Sequence, residues 1–176
     1  MHRSIKIILT VLIFIASSLL IAQDYSHDNN SFKNHRFGGF IGYNHYPGGA
    51  FNNYRSFFIA SLGIEYDYKF SHRWGFGLKL DFVYPNYSIP NGLGLPDIVI
   101  KYPSAMIKYY FSDYFNILIG AGVQLIEDSS FSAVKVGTEY KFILADGWDI
   151  KPVFSYSFVN EFEDTYELIF SIGKSF

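Results

Sequence analysis

From Ala60 to Phe176, apolar side chains recur at nearly every second position, and no other feature of the chain confines its fold so tightly. Successive side chains of a β-strand point to opposite faces, so a period of two marks a strand with two unlike faces. The run from Ala60 places Ala60, Leu62, Ile64, Tyr66, Tyr68 and Phe70 on one face and Ser61, Gly63, Glu65, Asp67 and Lys69 on the other. The same pattern runs from Trp74 to Tyr84, Phe115 to Leu125, Val134 to Phe142, Trp148 to Phe158 and Tyr166 to Phe176. Arg36 to Tyr46 alternates more loosely among Gly38, Gly39 and Gly42. Ile98 to Phe111 contains Pro103, which predicts a bulge or a bend. Together these runs make eight strands.

The connections fall into two kinds that alternate along the chain. Ser71-His72-Arg73, Ser112-Asp113-Tyr114 and Ile143 to Gly147 are tight, the last carrying Asp146-Gly147 as a hairpin signal. The others, Pro47 to Tyr54, Pro85 to Pro96, Glu127 to Ser130 and Asn160 to Asp164, are more variable. Tight turns at one end and looser loops at the other describe an up-and-down barrel of the outer-membrane kind, with the turns and the C-terminus on the periplasmic side.

Which face looks outward decides between a soluble barrel and a membrane one, and volume settles it. An eight-stranded barrel is just wide enough for its own side chains or one small ligand. Aromatic residues make up 20% of the chain, and the apolar faces hold too many rings for such an interior. The opposite faces, rich in Gly, Ser and charge, fit. The expected fold is therefore all-β, an eight-stranded antiparallel transmembrane β-barrel with its apolar face toward lipid. Phe70, Trp74, Phe111, Phe115, Phe142, Trp148 and Phe176 flank the short turns or end the chain, and Tyr84, Phe158 and Tyr166 flank the longer loops. Rings at both strand ends are what interfacial girdles require.

The inward positions then carry a charge network. Glu65, Asp67, Asp81, Glu139, Asp149 and Glu167 are the inward acids, and Lys69, Lys79, Lys108, Lys135, Lys141 and Lys151 the inward bases. If Phe142 lies opposite Trp148, Lys141 meets Asp149 and Glu139 meets Lys151; if Phe70 lies opposite Trp74, Glu65 meets Lys79. Facing opposite charges stabilise by about 0.2–1 kcal/mol each, and by more where water is scarce. The expectation is a lumen closed by ions.

Residues 1–22 read as an address. Arg3 and Lys6 precede an apolar run from Ile7 to Ile15, with Ala22 before Gln23 as a cleavage site. The run is short of the ~20 apolar residues of a membrane-spanning helix. A cleaved export signal over residues 1–22, a polar periplasmic leader over 23–34 and a barrel over 35–176 follow. Removing Arg3 and Lys6 leaves 12 basic and 16 acidic residues, a net charge of −4. That balance excludes the basic surplus of a nucleic-acid binder. The absence of cysteine excludes disulfides, thiolate metal sites and a cysteine nucleophile.

The stretch Gly63-Ile-Glu-Tyr-Asp-Tyr-Lys-Phe-Ser-His-Arg-Trp-Gly75, the strand end Lys108-Tyr-Tyr-Phe111 and the segment Tyr166 to Phe176 carry a resemblance. The chain resembles the small outer-membrane β-barrel proteins of Bacteroidota, similar in build to the OmpA- and OmpX-type barrels of other Gram-negative bacteria. The last segment resembles a C-terminal β-signal, except that Lys174 stands where an aromatic or apolar residue is usual. The resemblance implies an outer-membrane location, contact with its lipid, and assembly by the insertion machinery through the segment ending at Phe176. It carries no catalytic, cofactor-binding or metal residues.

Chemistry is sparse. His2, His27, His35, His45 and His72 show no metal-pair spacing. A lipid-modifying enzyme would have to use His45 with Ser56 or Ser88 and Asp97 or Asp128, which no local signature ties together. Glu127-Asp128 and Glu161 to Asp164 form an acidic outer rim, and Ile89, Leu93 and Leu95 lie in the longest loop. The reading is a monomeric, non-enzymatic barrel with a structural or surface-interaction role and no cofactor. The alternatives are a narrow small-solute channel and an outer-membrane lipid-modifying enzyme; a soluble ligand-binding barrel is a more remote one.

Overall fold

The computed structural model describes residues 34–47, 57–84, 99–126, 129–160 and 164–176. Residues 1–33, over which the sequence predicts an export signal and a leader, and most of the longer loops, including the acidic residues at 127–128 and 161–163 and the apolar loop at 85–96, lie outside them. The strands are β1 (His35–Tyr46), β2 (Phe57–Lys69), β3 (Trp74–Tyr84), β4 (Ile100–Tyr110), β5 (Phe115–Ile126), β6 (Ser129–Tyr140), β7 (Phe142–Ile143), β8 (Trp148–Val159) and β9 (Thr165–Ser175). Both β6 and β7 pair with β8 at one constant register, so they form a single stave broken only at Lys141. All pairings are antiparallel, and β1 pairs with both β2 and β9, which closes eight staves into a barrel.

The registers fix the tilt. Moving from partner to partner around the wall leads from His35 through Tyr68, Phe76, Ile107, Ile119, Val136, Tyr156 and Tyr166 back to β1 at His45, ten residues further along. Such an offset requires strongly inclined strands, typically ~35–45° from the barrel axis. Every residue on that circuit belongs to the outward face.

Two short turns are built alike. Ser71 Oγ accepts the backbone N–H groups of Arg73 (3.2 Å) and Trp74 (3.0 Å). Ser112 Oγ accepts those of Tyr114 (3.3 Å) and Phe115 (3.1 Å). A serine thus opens each turn and satisfies donors that the ladder leaves over. The third turn, Ala145–Gly147, puts Asp146 at φ 58° and Gly147 at φ 81°. Its geometry sets the register of the strands it joins. Phe142 pairs with Ile150 rather than with Trp148, two residues from the expected register.

Pro103 produces no bulge. The β4–β5 register is the same on both sides of it, Lys101 facing Leu125 and Ser104 facing Gly122. Pro103 keeps its partner Leu80 on β3. The ladder skips Tyr102 and Pro103 only on the β5 side, where the missing N–H falls.

The two faces are inverted relative to a soluble protein. Ile41 is 68% exposed, Phe154 53% and Ile172 54%, whereas Asp81, Lys108 and Asp149 are 0% exposed. Three small apolar clusters share the interior: Phe40 with Met106, Leu118, Val153 and Ile169; Tyr46 with Ile59, Val83 and Ile100; and Tyr102 with Ala133 and Val159. Glycine makes room for the inward rings. A Cβ on Gly63 would lie 2.3 Å from Phe40 Cζ, and one on Gly122 would lie 2.5 Å from Tyr102 Cε2. Each ring occupies space that any side chain on the adjoining strand would take.

Candidate functional site: the ionic lumen

The inward charges separate into two groups that share no ion pair. The group toward the short turns contains Arg36, Lys108, Lys141 and Lys151 against Glu65, Asp67, Glu139 and Asp149. Four cations meet four carboxylates. Arg36 is its hub. Its Nε donates to both oxygens of Asp149 (2.8 and 2.9 Å) and its Nη2 donates to Asp149 Oδ1 (2.6 Å) and Ser171 Oγ (3.0 Å). Its Nη1 bonds Glu65 and lies 3.6 Å from Asp67. Lys108 Nζ bridges Asp67 (2.6 Å) and Glu139 (2.8 Å). Lys151 Nζ lies within 3.0 to 3.3 Å of Asp67, Glu65 and Glu139.

The group toward the loops is smaller. Lys79 (2.9 Å) and Lys135 (2.5 Å) both bind Glu167, which also accepts the Ser155 hydroxyl at 2.8 Å. Lys79 Nζ stands 3.6 Å from Asp81. Aromatic faces complete the cations' surroundings, with Lys79 Nζ 4.5 Å from the Phe40 centroid and Lys135 Nζ 4.3 Å from that of Tyr102.

Neutrality within each group has a physical cause. A lone ionised group in a dry interior costs tens of kcal/mol, so buried charges persist only when paired and hydrogen-bonded. The strands supply this both between neighbouring staves, as in Arg36–Glu65 and Glu139–Lys151, and between staves that are not neighbours, as in Lys79–Glu167 and Lys151–Asp67. Glu65 and Lys79 do face each other across β2 and β3, as expected. Their ion pairs nevertheless run elsewhere, Glu65 to Arg36 and Lys151, and Lys79 to Glu167 and Asp81. The shifted β7–β8 register puts Glu139 opposite Val153, yet Glu139 reaches Lys151 (3.3 Å) and Lys141 reaches Asp149 (3.5 Å) along the diagonals.

Lys69 departs from the expected network. It sits half-buried at the turn-side rim, 3.3 Å from Asp113 on the neighbouring turn and 4.7 Å from the Tyr110 ring centroid. Asp113 is largely exposed, and exposed pairs are worth ~0–1 kcal/mol. Arg36 is the residue that sequence reasoning missed. The inward positions of β1 read Arg36, Gly38, Phe40, Gly42 and Asn44, a series too mixed to stand out as a charged face. The signal that would have found it is the surplus of glycine facing it. A Cβ on Gly173 would lie 2.5 Å from Arg36 Cζ, and one on Gly38 would lie 3.0 Å from Nη1.

On the outer face, Phe70, Phe111, Phe115, Phe142, Trp148, Phe158, Tyr166 and Phe176 are all exposed and Trp74 is half-buried; Tyr84 ends β3, and its side chain is outside the described set. The rings contact one another at both ends, mostly edge to face. Trp74, Tyr109, Phe111 and Phe115 form one series by the turns, with centroids 4.9–5.7 Å apart. Tyr156, Phe158 and Tyr166 form another by the loops, at 4.6 Å. His45 joins that outer series, 4.6 Å from Phe58 and 5.9 Å from Tyr166. It therefore stands on the wall rather than in the barrel mouth. Its hypothetical enzymatic partners Ser56, Ser88, Asp97 and Asp128 lie outside the described residues. Asp164, the one described member of the acidic rim, is engaged locally and accepts from Tyr156 Oη (2.6 Å) and Val159 N (3.1 Å). Among the described residues no cluster of His, Cys, Asp and Glu is arranged to hold a metal ion.

No family model matches the chain, and no curated protein sequence matches it significantly. Solved structures do. The Neisserial surface protein A, NspA, superposes with a TM-score of 0.59 at 13% identity, covering 81% of this chain and 97% of that one. Ail, the attachment invasion locus protein of Yersinia pestis, superposes at 0.50 with 17% identity, covering 81% and 99%. A de novo designed transmembrane β-barrel superposes at 0.50 with 11% identity, covering 84% and 98%. At these identities the likeness is one of fold, and the fold is a closed eight-stranded antiparallel β-barrel.

Proposed function

We propose that the chain is an integral outer-membrane β-barrel of the small Bacteroidota type, exported by a cleaved signal peptide, with an ion-closed lumen and a structural or surface-interaction role. The observation that carries this is the inverted wall. Among the described strand residues, the outward face bears two charged side chains, Lys101 near the loop end of β4 and Lys174 near the turn end of β9. Everything between is apolar, aromatic, small or hydroxylated. No helix among the described residues is long and apolar enough to cross a membrane, so crossing falls to the strands. A belt of this kind would be an aggregation hazard in water and is stabilised by hydrocarbon. The rings at both rims match the two interfaces, and Lys174 lies 5.7 Å from the Trp148 ring, where a headgroup would meet both.

The two neutral ion groups support a non-conducting interior. A surface role agrees with a barrel whose likeness includes Ail, itself named for attachment and invasion. Membrane fractionation with heat-modifiable gel migration tests the placement, and the protein is expected in the outer-membrane fraction with a faster unheated band. Planar-bilayer recording tests the closed lumen, and no unitary conductance is expected. Recovery in the periplasmic supernatant, or steady ion conduction by the folded wild type, overturns the respective part.

A further inference from the structure

Polar side chains on five consecutive staves end in atoms without a hydrogen-bond partner: Asn44 Nδ2 on β1, Ser61 Oγ on β2, both carboxylate oxygens of Asp81 on β3 (Oδ2 standing 3.6 Å from Lys79 Nζ), Ser104 Oγ on β4 and Gln124 Oε1 on β5. All five residues are at least 94% buried. Four of them sit two positions below an apolar residue on the same stave: Asn44 below Tyr46, Ser61 below Ile59, Asp81 below Val83 and Gln124 below Ile126. On the remaining stave, β4, Ile100 leads through Tyr102 to Ser104. Tyr46, Ile59, Val83 and Ile100 pack together, with Ile126 against them, and the four are at most 2% exposed. An apolar layer at the loop end therefore lies about 6–7 Å above a polar one, the rise of two strand residues.

The unpaired atoms are of both kinds. Asn44, Ser61 and Ser104 have donors to offer, and Asp81 and Gln124 have acceptors. Buried polar groups in folded proteins almost always find a partner, and water is the small molecule that both donates and accepts. A cation would serve only the acceptors. It would also meet no uncompensated charge, because Lys79 and Lys135 already balance Asp81 and Glu167. We propose that the loop-side half of the lumen is a water-holding chamber, and that the ring of Tyr46, Ile59, Val83 and Ile100 is its lid toward the loops. Its floor is the Lys79–Glu167–Lys135 group. The seal on the lumen is thus double, an apolar layer outside and an ionic layer within, and passage of any polar solute requires the lid to part first. Apolar constrictions can gate a pore by dewetting.

This inference rests on the closed barrel alone, so its failure leaves the membrane placement standing, and the reverse holds too. Two measurements on the full chain in lipid nanodiscs test it. Water-selective NMR cross-relaxation is expected at the side-chain amides of Asn44 and Gln124, unchanged between salt-free and sodium-containing buffer. Absence of water signals there, with signals present at an exposed control such as Asn160, overturns the chamber, and a saturable sodium-dependent shift at Asp81 replaces water by a cation. The chain contains no cysteine, so Ser61→Cys gives a single thiol. Labelling by a small cationic methanethiosulfonate is expected to be slow in S61C and about tenfold faster or more when Ile59→Ala is added. Equal rates in the two variants, or rapid labelling of both, overturn the lid. Gel migration reports that each variant folds, and V83A replaces I59A should that one not fold.

Discussion

Replacing Arg36 by Met removes the hub of the larger ion group while keeping an unbranched stem of similar reach. Arg36 is 5% exposed and reaches three other staves, bonding Glu65 on β2, Asp149 on β8 and Ser171 on β9. β8 is separated from β1 by β9, so the bond to Asp149 passes over that stave on the lumen side. In Arg36→Met the group falls from four cations against four carboxylates to three against four. Asp149 keeps only Lys141, at 3.5 Å, while Glu65 retains Lys151 at 3.1 Å and Ser171 at 2.5 Å. Removing one partner of a buried pair costs about 3–5 kcal/mol, mostly because the other charge stays buried. At 1.4 kcal/mol per decade that is a factor of roughly 10² to 10³·⁵ in the folded-to-unfolded ratio. It is a large share of the ~5–15 kcal/mol by which proteins of this size are stable. The assay is reversible urea unfolding in lipid vesicles, followed by tryptophan fluorescence and gel migration. In the double variant R36M/D149N the uncompensated carboxylate is gone, so its loss is expected to fall short of the summed single losses by about 2 kcal/mol or more. A loss below about 1 kcal/mol for R36M, or strict additivity in the cycle, would refute the account. Either result would mean that water solvates Asp149 in the variant and that the lumen is not dry at that level.

Three further perturbations separate the parts of the argument. Gly173→Ala puts a Cβ 2.5 Å from Arg36 Cζ and Nη2, so it is expected to cost about 1–3 kcal/mol in the wild type and distinctly less in the R36M background, by the same unfolding assay. Ile119→Arg places a charge in the middle of the outward face, where Ile119 is 50% exposed and pairs with Ile107 and Val136; the expected loss in vesicles is about 2–4 kcal/mol, and a neutral result would indicate a wall that faces water. Gly147→Ala forces an alanine to φ 81° in the β7–β8 turn and is expected to lower stability by about 1–2 kcal/mol without changing which face is outward, the latter checked by protease protection in vesicles.

The strands and their two faces were legible in the sequence because alternation is a property of each strand by itself. Glu65, Asp67, Asp81, Lys79 and Lys135 point inward wherever their strands sit in the wall. The aromatic belt is legible for the same reason, and volume then assigns it to the exterior. Partnership among the charges was not legible. It depends on a closure offset of ten residues, which brings the Arg36 level of β1 against Asp149 of β8 and carries Lys79 past Glu65 to Glu167. A left-handed pair at Asp146 and Gly147 moves one register by two residues, which preserves every face and changes every neighbour. Arg36 itself was hidden because the inward positions of β1, which run Arg36, Gly38, Phe40, Gly42 and Asn44, do not read as a charged face. Local periodicity therefore determined which side chains enter the lumen, while only the closed barrel decided whom they meet, because contacts across a lumen are set by shear and tilt and belong to no single strand.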